Sequence, residues 1–178
     1  MGITIFWSEW DGKSGSHDLL RRAVGEFLHC RPEALVFGQG EHGRPELAGR
    51  EDVDFSISHS EKLWACAVGS CRVGLDLQKE YEKNGEKLAR RFFHPQEIAW
   101  MEEHGFGHFS RIWTYKESYV KYTGTGLSSG LDYFSVIQGL QAGENESLGV
   151  VQQEIPFLES YWMVLTSAGR QEVTLRHL

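Results

Sequence analysis

The segment SRIWTYKESYVKYTG carries four side chains that fall on one stripe of a predicted helix: Trp113, Glu117, Val120 and Lys121. Their spacing of three and four residues makes Glu117 and Lys121 neighbours on the helix surface. Such a Glu–Lys pair is usually a solvated feature, but the tryptophan on the same stripe indicates a face that packs inward. The pattern therefore predicts an acid and a base held together at the edge of a core.

A second acid, Asp76, lies within VGLDLQ at 73–78, where apolar and polar residues alternate as in a strand. A carboxylate in an apolar run is costly unless it is paired or faces water, so one reading is an edge strand with a wet face. If Asp76 and Glu117 converge, they provide two oxygen ligands and a charge of −2. That combination suits a hard divalent cation that also contacts substrate phosphates.

Two other short segments could contact phosphate: FSISHS, with Ser58 and His59, and GRP, with Arg44. A lone histidine is more often structural, and a lone surface arginine is more often solvated. The sequence lacks a P-loop, a dinucleotide fingerprint and a Gly-x-Ser-x-Gly elbow. Any phosphate must therefore be held by side chains, and a hydrolase triad is not supported.

The elements that position these residues are predicted from hydrophobic periodicity and turn residues. Helices are predicted at 16–29, 86–92, 95–104 and 110–122, and strands at 3–7, 34–37, 53–58, 63–69, 73–78, 132–138, 148–154, 160–166 and 171–175. The short GSCR link predicts a hairpin between the strands at 63–69 and 73–78. The region from 38 to 52 is predicted to be a loop. The order predicts an α+β fold in which each half carries a small sheet.

Composition limits the partners. The chain has 178 residues and a net charge of −7, from 25 acidic and 18 basic residues, which argues against a nucleic-acid partner. It lacks a signal-peptide pattern and an apolar run long enough to span a bilayer. Three cysteines without Cys-x-x-Cys spacing favour reduced thiols. We expect a protein of the cytoplasm with no membrane partner.

Five segments, in this order and spacing, resemble the 4'-phosphopantetheinyl transferase superfamily. They are GRP at 43–45, FSISHS at 55–60, VGLDLQ at 73–78, RRFFHPQE at 90–97 and WTYKESYVKYTGTGL at 113–127. The aspartate strand followed by the Trp-x-x-Lys-Glu-x-x-x-Lys helix is the specific pair. The residues before that strand resemble the single-chain, two-half type, typified by surfactin-synthetase activators.

The resemblance implies two similar α+β halves, at 1–72 and 73–178, with coenzyme A in the cleft between them. It implies Mg²⁺-dependent transfer of the phosphopantetheine arm to a serine of an apo acyl or peptidyl carrier protein. The protein is expected to act as a monomer. Residues 88–109, with Arg90 and Arg91 beside several apolar side chains, are a weaker candidate for docking the carrier.

The resemblance also implies roles for individual residues. The metal ligands would be Asp76 and Glu117, with Gln78 in a third position where many members have an acid. Glu117 would also be the candidate base, and Lys121 would contact the pyrophosphate. The other cofactor contacts would be Arg21, Arg44, Pro45, Ser58 and His59. Gln78 could ligate through its amide oxygen, so the departure bears on metal affinity more than on activity.

Two other functions remain open from the sequence. The chain could be a non-catalytic module that binds coenzyme A or carrier proteins, with Gln78 marking a lost metal site. It could also be a different magnesium-dependent phosphotransferase that acts on nucleotides.

Overall fold

The structure is a computed structural model that describes residues 2–13, 15–40, 43–81, 85–126 and 130–178. It is a mixed α+β protein, as predicted. The strands are β1 (Ile3–Glu9), β2 (Phe37–Gln39), β3 (Pro45–Leu47), β4 (Asp54–Ser60), β5 (Leu63–Gly69), β6 (Val73–Lys79), β7 (Glu144–Asn145), β8 (Val150–Glu154), β9 (Tyr161–Ser167) and β10 (Val173–His177). The helices are α1 (Ser16–Leu28), α2 (Gly85–Phe92), α3 (Pro95–His104), α4 (Phe109–Thr123) and α5 (Ile137–Ala142).

The first sheet has the strand order β10-β1-β5-β4. Strand β5 is antiparallel to both β1 and β4, whereas β10 is parallel to β1, so the C-terminal strand completes a sheet built from N-terminal residues. Helix α1 contributes Leu20, Ala23 and Val24 to an apolar cluster with residues of β1, β4 and β5. This cluster anchors α1 on one side of the first sheet.

The second sheet has the order β6-β9-β8-β7, and α4 packs on it. Gly74 explains how closely the helix approaches, because a Cβ there would lie 2.0 Å from the Ser118 carbonyl oxygen. Ser118 and Thr166 hydroxyls are hydrogen-bonded at 2.7 Å in the same contact. The glycine of the Val-Gly-x-Asp segment thus lets α4 lie against β6, which brings Glu117 and Lys121 over the strand that carries Asp76.

The two four-stranded sheets meet where β4 runs beside β6. Serines at alternate positions of β4 accept hydrogen bonds from backbone N–H groups of β6. Asp54, at the start of β4, accepts another from the Val73 N–H at 2.8 Å. An apolar cluster with residues of both sheets, including Ile5, Leu75 and Leu165, fills the space between them. Strand β6, which carries Asp76, is therefore held in place by contacts with both sheets.

Helices α1 to α4 confirm the four predicted ones to within a few residues. Pro95 occupies the first turn of α3, and Gly124 ends α4 in the left-handed conformation (φ 77°). Within the described ranges, no helix combines the length and the apolarity needed to cross a membrane.

Three local predictions were wrong. Strands β5 and β6 form no hairpin, because β6 pairs with β9 in the other sheet. Residues 132–138 form turns that lead into α5 rather than a strand, with Phe134 and Val136 buried. The predicted 38–52 loop contains β3, which pairs with β2 in a small two-stranded sheet. Each error concerns a segment whose conformation depends on contacts with other parts of the chain rather than on its own pattern.

Candidate active site

Asp76 lies at the centre of a buried polar cluster. Its carboxylate is 5% exposed, on the face of β6 that looks toward α4. Lys121 Nζ donates to Asp76 Oδ1 at 2.7 Å, and the Ser58 hydroxyl donates to the same oxygen at 2.8 Å. Lys121 Nζ also lies 2.9 Å from Ser58 Oγ. Residues from β4, β6 and α4 thus meet at one carboxylate oxygen.

Glu117, one helical turn before Lys121, is the second acid of the cluster and is 9% exposed. The pKa of Glu117 is raised to about 7, mainly by burial and also by the negative charge of Asp76, while Lys121 opposes the rise. Two carboxylates within electrostatic range of each other therefore share one lysine.

The cluster has the features that a hard cation requires. Asp76 Oδ2 is buried and has no hydrogen-bond partner among the described residues. An oxygen left unsatisfied in this way is costly, and a cation would compensate for it. The described ranges contain no group of three or more His, Cys, Asp or Glu residues placed as metal ligands. Two carboxylates fit Mg²⁺, which usually takes one or two and completes its shell with water and substrate phosphate.

A cavity of about 330 Å³ opens beside the cluster. Its lining includes Glu117 and Lys121 from α4, Ser56 from β4, and Arg44 and Pro45 from the segment that enters β3. The structure therefore brings predicted cofactor contacts from the first 72 residues to the same cavity as the predicted metal ligand Glu117.

Arg44 is already engaged by protein atoms. Its guanidinium contacts the carboxylate of Asp54 at 2.7 and 2.9 Å and the carbonyl oxygens of Phe55 and Val73. It also donates to the carbonyl oxygen of Lys121. Arg44 Nε is buried without a partner in the described part of the chain. The arginine joins β4, β6 and the end of α4, which fixes the backbone of Lys121.

Two of the predicted site residues, His59 and Arg21, lie apart from the cluster. His59 is exposed and packs its ring against Trp10, because it projects from the opposite face of β4 to Ser58. Arg21 donates to the carbonyl oxygens of Pro32 and Leu35. Gln78 projects from the same face of β6 as Asp76, two residues on, and is half-buried.

A second acid–base pair, which joins α3 to α4, was not predicted from the sequence. Lys116 Nζ contacts Glu97 Oε1 at 2.7 Å, and neither side chain is exposed. Glu97 belongs to the quoted RRFFHPQE segment, where it also completes a capping box at His94. Its position in that segment was the available signal, but the pairing with a lysine of another helix could not be read from spacing.

The segment 88–109 does not present all its apolar residues to solvent. Met101 and Phe109 are buried in the core, and Trp100 is half-buried against it. Arg90 forms ion pairs with Glu86 and Glu102. Carrier docking on this segment stays a prediction, with a smaller apolar surface than the sequence suggests.

The structure thus combines a mixed α+β fold with two carboxylates, a lysine and an adjacent cavity. The family model described as the 4'-phosphopantetheinyl transferase superfamily matches residues 72–168. That span contains the strand of Asp76 and the helix of Glu117 and Lys121. The chain belongs to this superfamily.

Characterised proteins agree with this assignment. The chain is 35% identical over 122 residues to a 4'-phosphopantetheinyl transferase of Bacillus subtilis, covering 66% of this chain and 54% of that protein. It is 32% identical over 120 residues to the 4'-phosphopantetheinyl transferase Gsp of Aneurinibacillus migulanus, covering 65% and 49%. It is 35% identical over 119 residues to the 4'-phosphopantetheinyl transferase HetI of Nostoc, covering 62% and 50%. The chain spans about half the length of the curated relatives it matches.

Proposed function

We propose that the protein transfers the 4'-phosphopantetheine group from coenzyme A to a serine of an apo acyl or peptidyl carrier protein. The observation that carries the proposal is the orphaned Asp76 Oδ2, which lies within a cluster shared with Glu117 and Lys121. Membership of the superfamily supplies the reaction class, and the names of the relatives agree with it.

The two four-stranded sheets support the predicted division into halves at 1–72 and 73–178, with β10 returning to the first. Each sheet has one main helix packed on it, α1 on the first and α4 on the second. We propose that the halves are related by approximate twofold symmetry and that coenzyme A binds in the cavity between them. A single chain supplies the whole cluster, which is consistent with the predicted monomer.

The roles of the residues follow from their surroundings. Asp76 and Glu117 would hold Mg²⁺, which would neutralise negative charge on the pyrophosphate of bound coenzyme A. Glu117, with its pKa raised to about 7, is suited to accept the proton of the carrier serine near neutral pH. Lys121 is 29% exposed at its side chain and would offer its charge to the leaving 3',5'-adenosine bisphosphate.

The remaining contacts stay predictions. The family resemblance implies that Arg44, Pro45, Ser58, His59 and Arg21 position the nucleotide and that Lys121 contacts its pyrophosphate. Gln78 is proposed as a third oxygen near the cation. The cytoplasmic location also stays a prediction.

The direct test is intact-mass analysis of an apo-carrier incubated with the protein, coenzyme A and Mg²⁺. We expect a mass gain equal to one phosphopantetheine group, and loss of that gain when EDTA replaces Mg²⁺. A panel of carriers from peptide, polyketide and fatty-acid pathways guards against a wrong choice of partner. Coenzyme A binding without modification of any carrier would favour the non-catalytic module. Phosphate transfer to a nucleotide under the same conditions would favour the other phosphotransferase.

A further inference from the structure

Three serines of β4 make the same kind of bond to β6. Ser56, Ser58 and Ser60 are buried, at 6%, 3% and 7% exposure. Each accepts a hydrogen bond from a backbone N–H, and the pairs are Ser56 with Leu75 at 2.9 Å, Ser58 with Leu77 at 3.0 Å, and Ser60 with Lys79 at 2.9 Å. As parts of the junction between the sheets the three residues are equivalent.

Ser58 differs from the other two by its contacts with charged groups. Its hydroxyl donates to Asp76 Oδ1 and accepts from Lys121 Nζ, in addition to the Leu77 N–H. Within the described residues, the hydroxyls of Ser56 and Ser60 have no hydrogen bond to a carboxylate or to a lysine ammonium group. A hydroxyl offers one donor and two acceptor sites, so the capacity of Ser58 is fully used inside the protein.

This arrangement makes the two oxygens of Asp76 unequal. Oδ1 receives both hydrogen bonds, from Ser58 and Lys121, whereas Oδ2 has none from the described residues. The Leu77 N–H holds the Ser58 oxygen in place, so the direction of the Asp76 carboxylate is tied to the backbone of its own strand. Groups that orient a metal ligand in this way are part of the function of a metal site.

We propose that Ser58 is a positioning residue of the metal site, which holds Asp76 by Oδ1 and so keeps Oδ2 available to the cation. The inference rests on the proposed function, because it needs a cation at Asp76. It gives Ser58 a role different from the direct phosphate contact that the family resemblance implies.

The test measures Mn²⁺ binding to the protein by electron paramagnetic resonance, both alone and with coenzyme A. Ser58→Ala should weaken Mn²⁺ affinity about 10- to 100-fold. Ser60→Ala is the matched control, since it removes an equivalent serine–backbone bond, and its Mn²⁺ affinity should stay within about twofold of the unmodified protein. Equal Mn²⁺ affinities in the two variants would overturn the inference.

If the alanine variant unfolds, two variants of equal size can be compared to measure the effect of the hydroxyl alone. Ser58→Thr and Ser58→Val add the same bulk, and both β-branched residues suit a strand. The threonine variant should keep the Mn²⁺ affinity and the valine variant should lose it. Identical affinities in this pair would also overturn the inference.

Coenzyme A binding in EDTA separates positioning from phosphate contact. Coenzyme A affinity without metal should be the same in the threonine and valine variants. If valine weakens coenzyme A binding in EDTA but leaves Mn²⁺ binding intact, Ser58 contacts phosphate and the inference fails alone. If the unmodified protein binds no Mn²⁺, with or without coenzyme A, the proposed metal site and the inference fail together.

Discussion

Helix α4 carries two lysines that each pair with a carboxylate at 2.7 Å, yet the pairs differ in every other respect. Lys116 and Glu97 are fully buried, and each also makes hydrogen bonds to backbone groups. Glu97 accepts from the N–H groups of Val136 and His94, and Lys116 donates to the Phe134 carbonyl oxygen. Lys121 instead lines a cavity. Its partner Asp76 has a buried oxygen, Oδ2, without a hydrogen-bond partner among the described residues.

The comparison shows that separation alone does not tell a structural ion pair from a functional one. A fully buried pair that is also hydrogen-bonded to the backbone cannot be reached by a ligand, and it specifies how its helices pack. A pair in which one carboxylate oxygen has no hydrogen-bond partner, and which lies beside a second acid, can accept a cation. Lys116 and Glu117 are adjacent in sequence, so one turn of helix serves both purposes.

The largest expected effect comes from breaking the fully buried Lys116–Glu97 pair. Lys116→Met should lower the free energy of unfolding by about 3–5 kcal/mol, because Glu97 would keep a buried charge without its partner. Urea denaturation followed by circular dichroism measures the loss. The double variant Lys116→Met with Glu97→Gln should recover part of it. A double variant less stable than the single one would show that the pair does not act as a unit.

Removing Glu117, the acid beside the Lys121–Asp76 pair, should act on chemistry instead. Glu117→Gln should reduce carrier modification by roughly 100- to 1000-fold, since it removes a metal ligand and the candidate base. Its melting temperature should stay equal to that of the unmodified protein or rise, because the change removes repulsion with Asp76. Activity is measured by intact mass and stability by thermal unfolding. Near-normal activity would mean that Glu117 is not a ligand.

Lys121→Met tests whether the ammonium group of Lys121 compensates the charge of Asp76 when no metal is bound. The metal-free variant should lose about 2 kcal/mol of unfolding free energy, because Asp76 loses a charged hydrogen-bond donor. Added Mg²⁺ should restore more stability to the variant than to the unmodified protein, while carrier modification still falls. Urea titrations with and without Mg²⁺ measure this difference. Equal Mg²⁺ effects in both proteins would contradict it.

A pH dependence of stability should arise from Glu117, the acid beside the Lys121–Asp76 pair. The pKa of Glu117 is raised from its ordinary 4.5 to about 7 in the folded protein, so the fold favours its protonated form. Stability of the metal-free protein should therefore fall as pH rises from about 4.5 to about 7, and Mn²⁺ affinity should rise over the same range. Subtracting the profiles of Glu117→Gln isolates this group. Parallel profiles in the two proteins would disprove it.

The local pattern of the sequence was enough to predict the strand of Asp76 and the helix of Glu117 and Lys121, whereas the approach of Asp76 to Glu117 was implied only by the family resemblance. Alternation placed Asp76 and Gln78 on one face of β6, and three-and-four spacing placed Glu117 beside Lys121. The serines at 56, 58 and 60 also alternate, so their common face could have been predicted from the same rule. Their bonding to β6 could not, because it joins strands from different sheets.

The sequence by itself indicated the superfamily through its resemblance. It also determined which site residues share a face, because a helix or strand converts local spacing directly into a shared face. Only the tertiary structure decided that Lys116 is buried against Glu97 while Lys121 lines a cavity. The two lysines lie on the same helix and differ in the distant segments that pack against them. It also decided that Ser58 faces Asp76 while His59 faces Trp10. Those choices depend on how β4, β6 and α4 pack together, and no single segment carries that information.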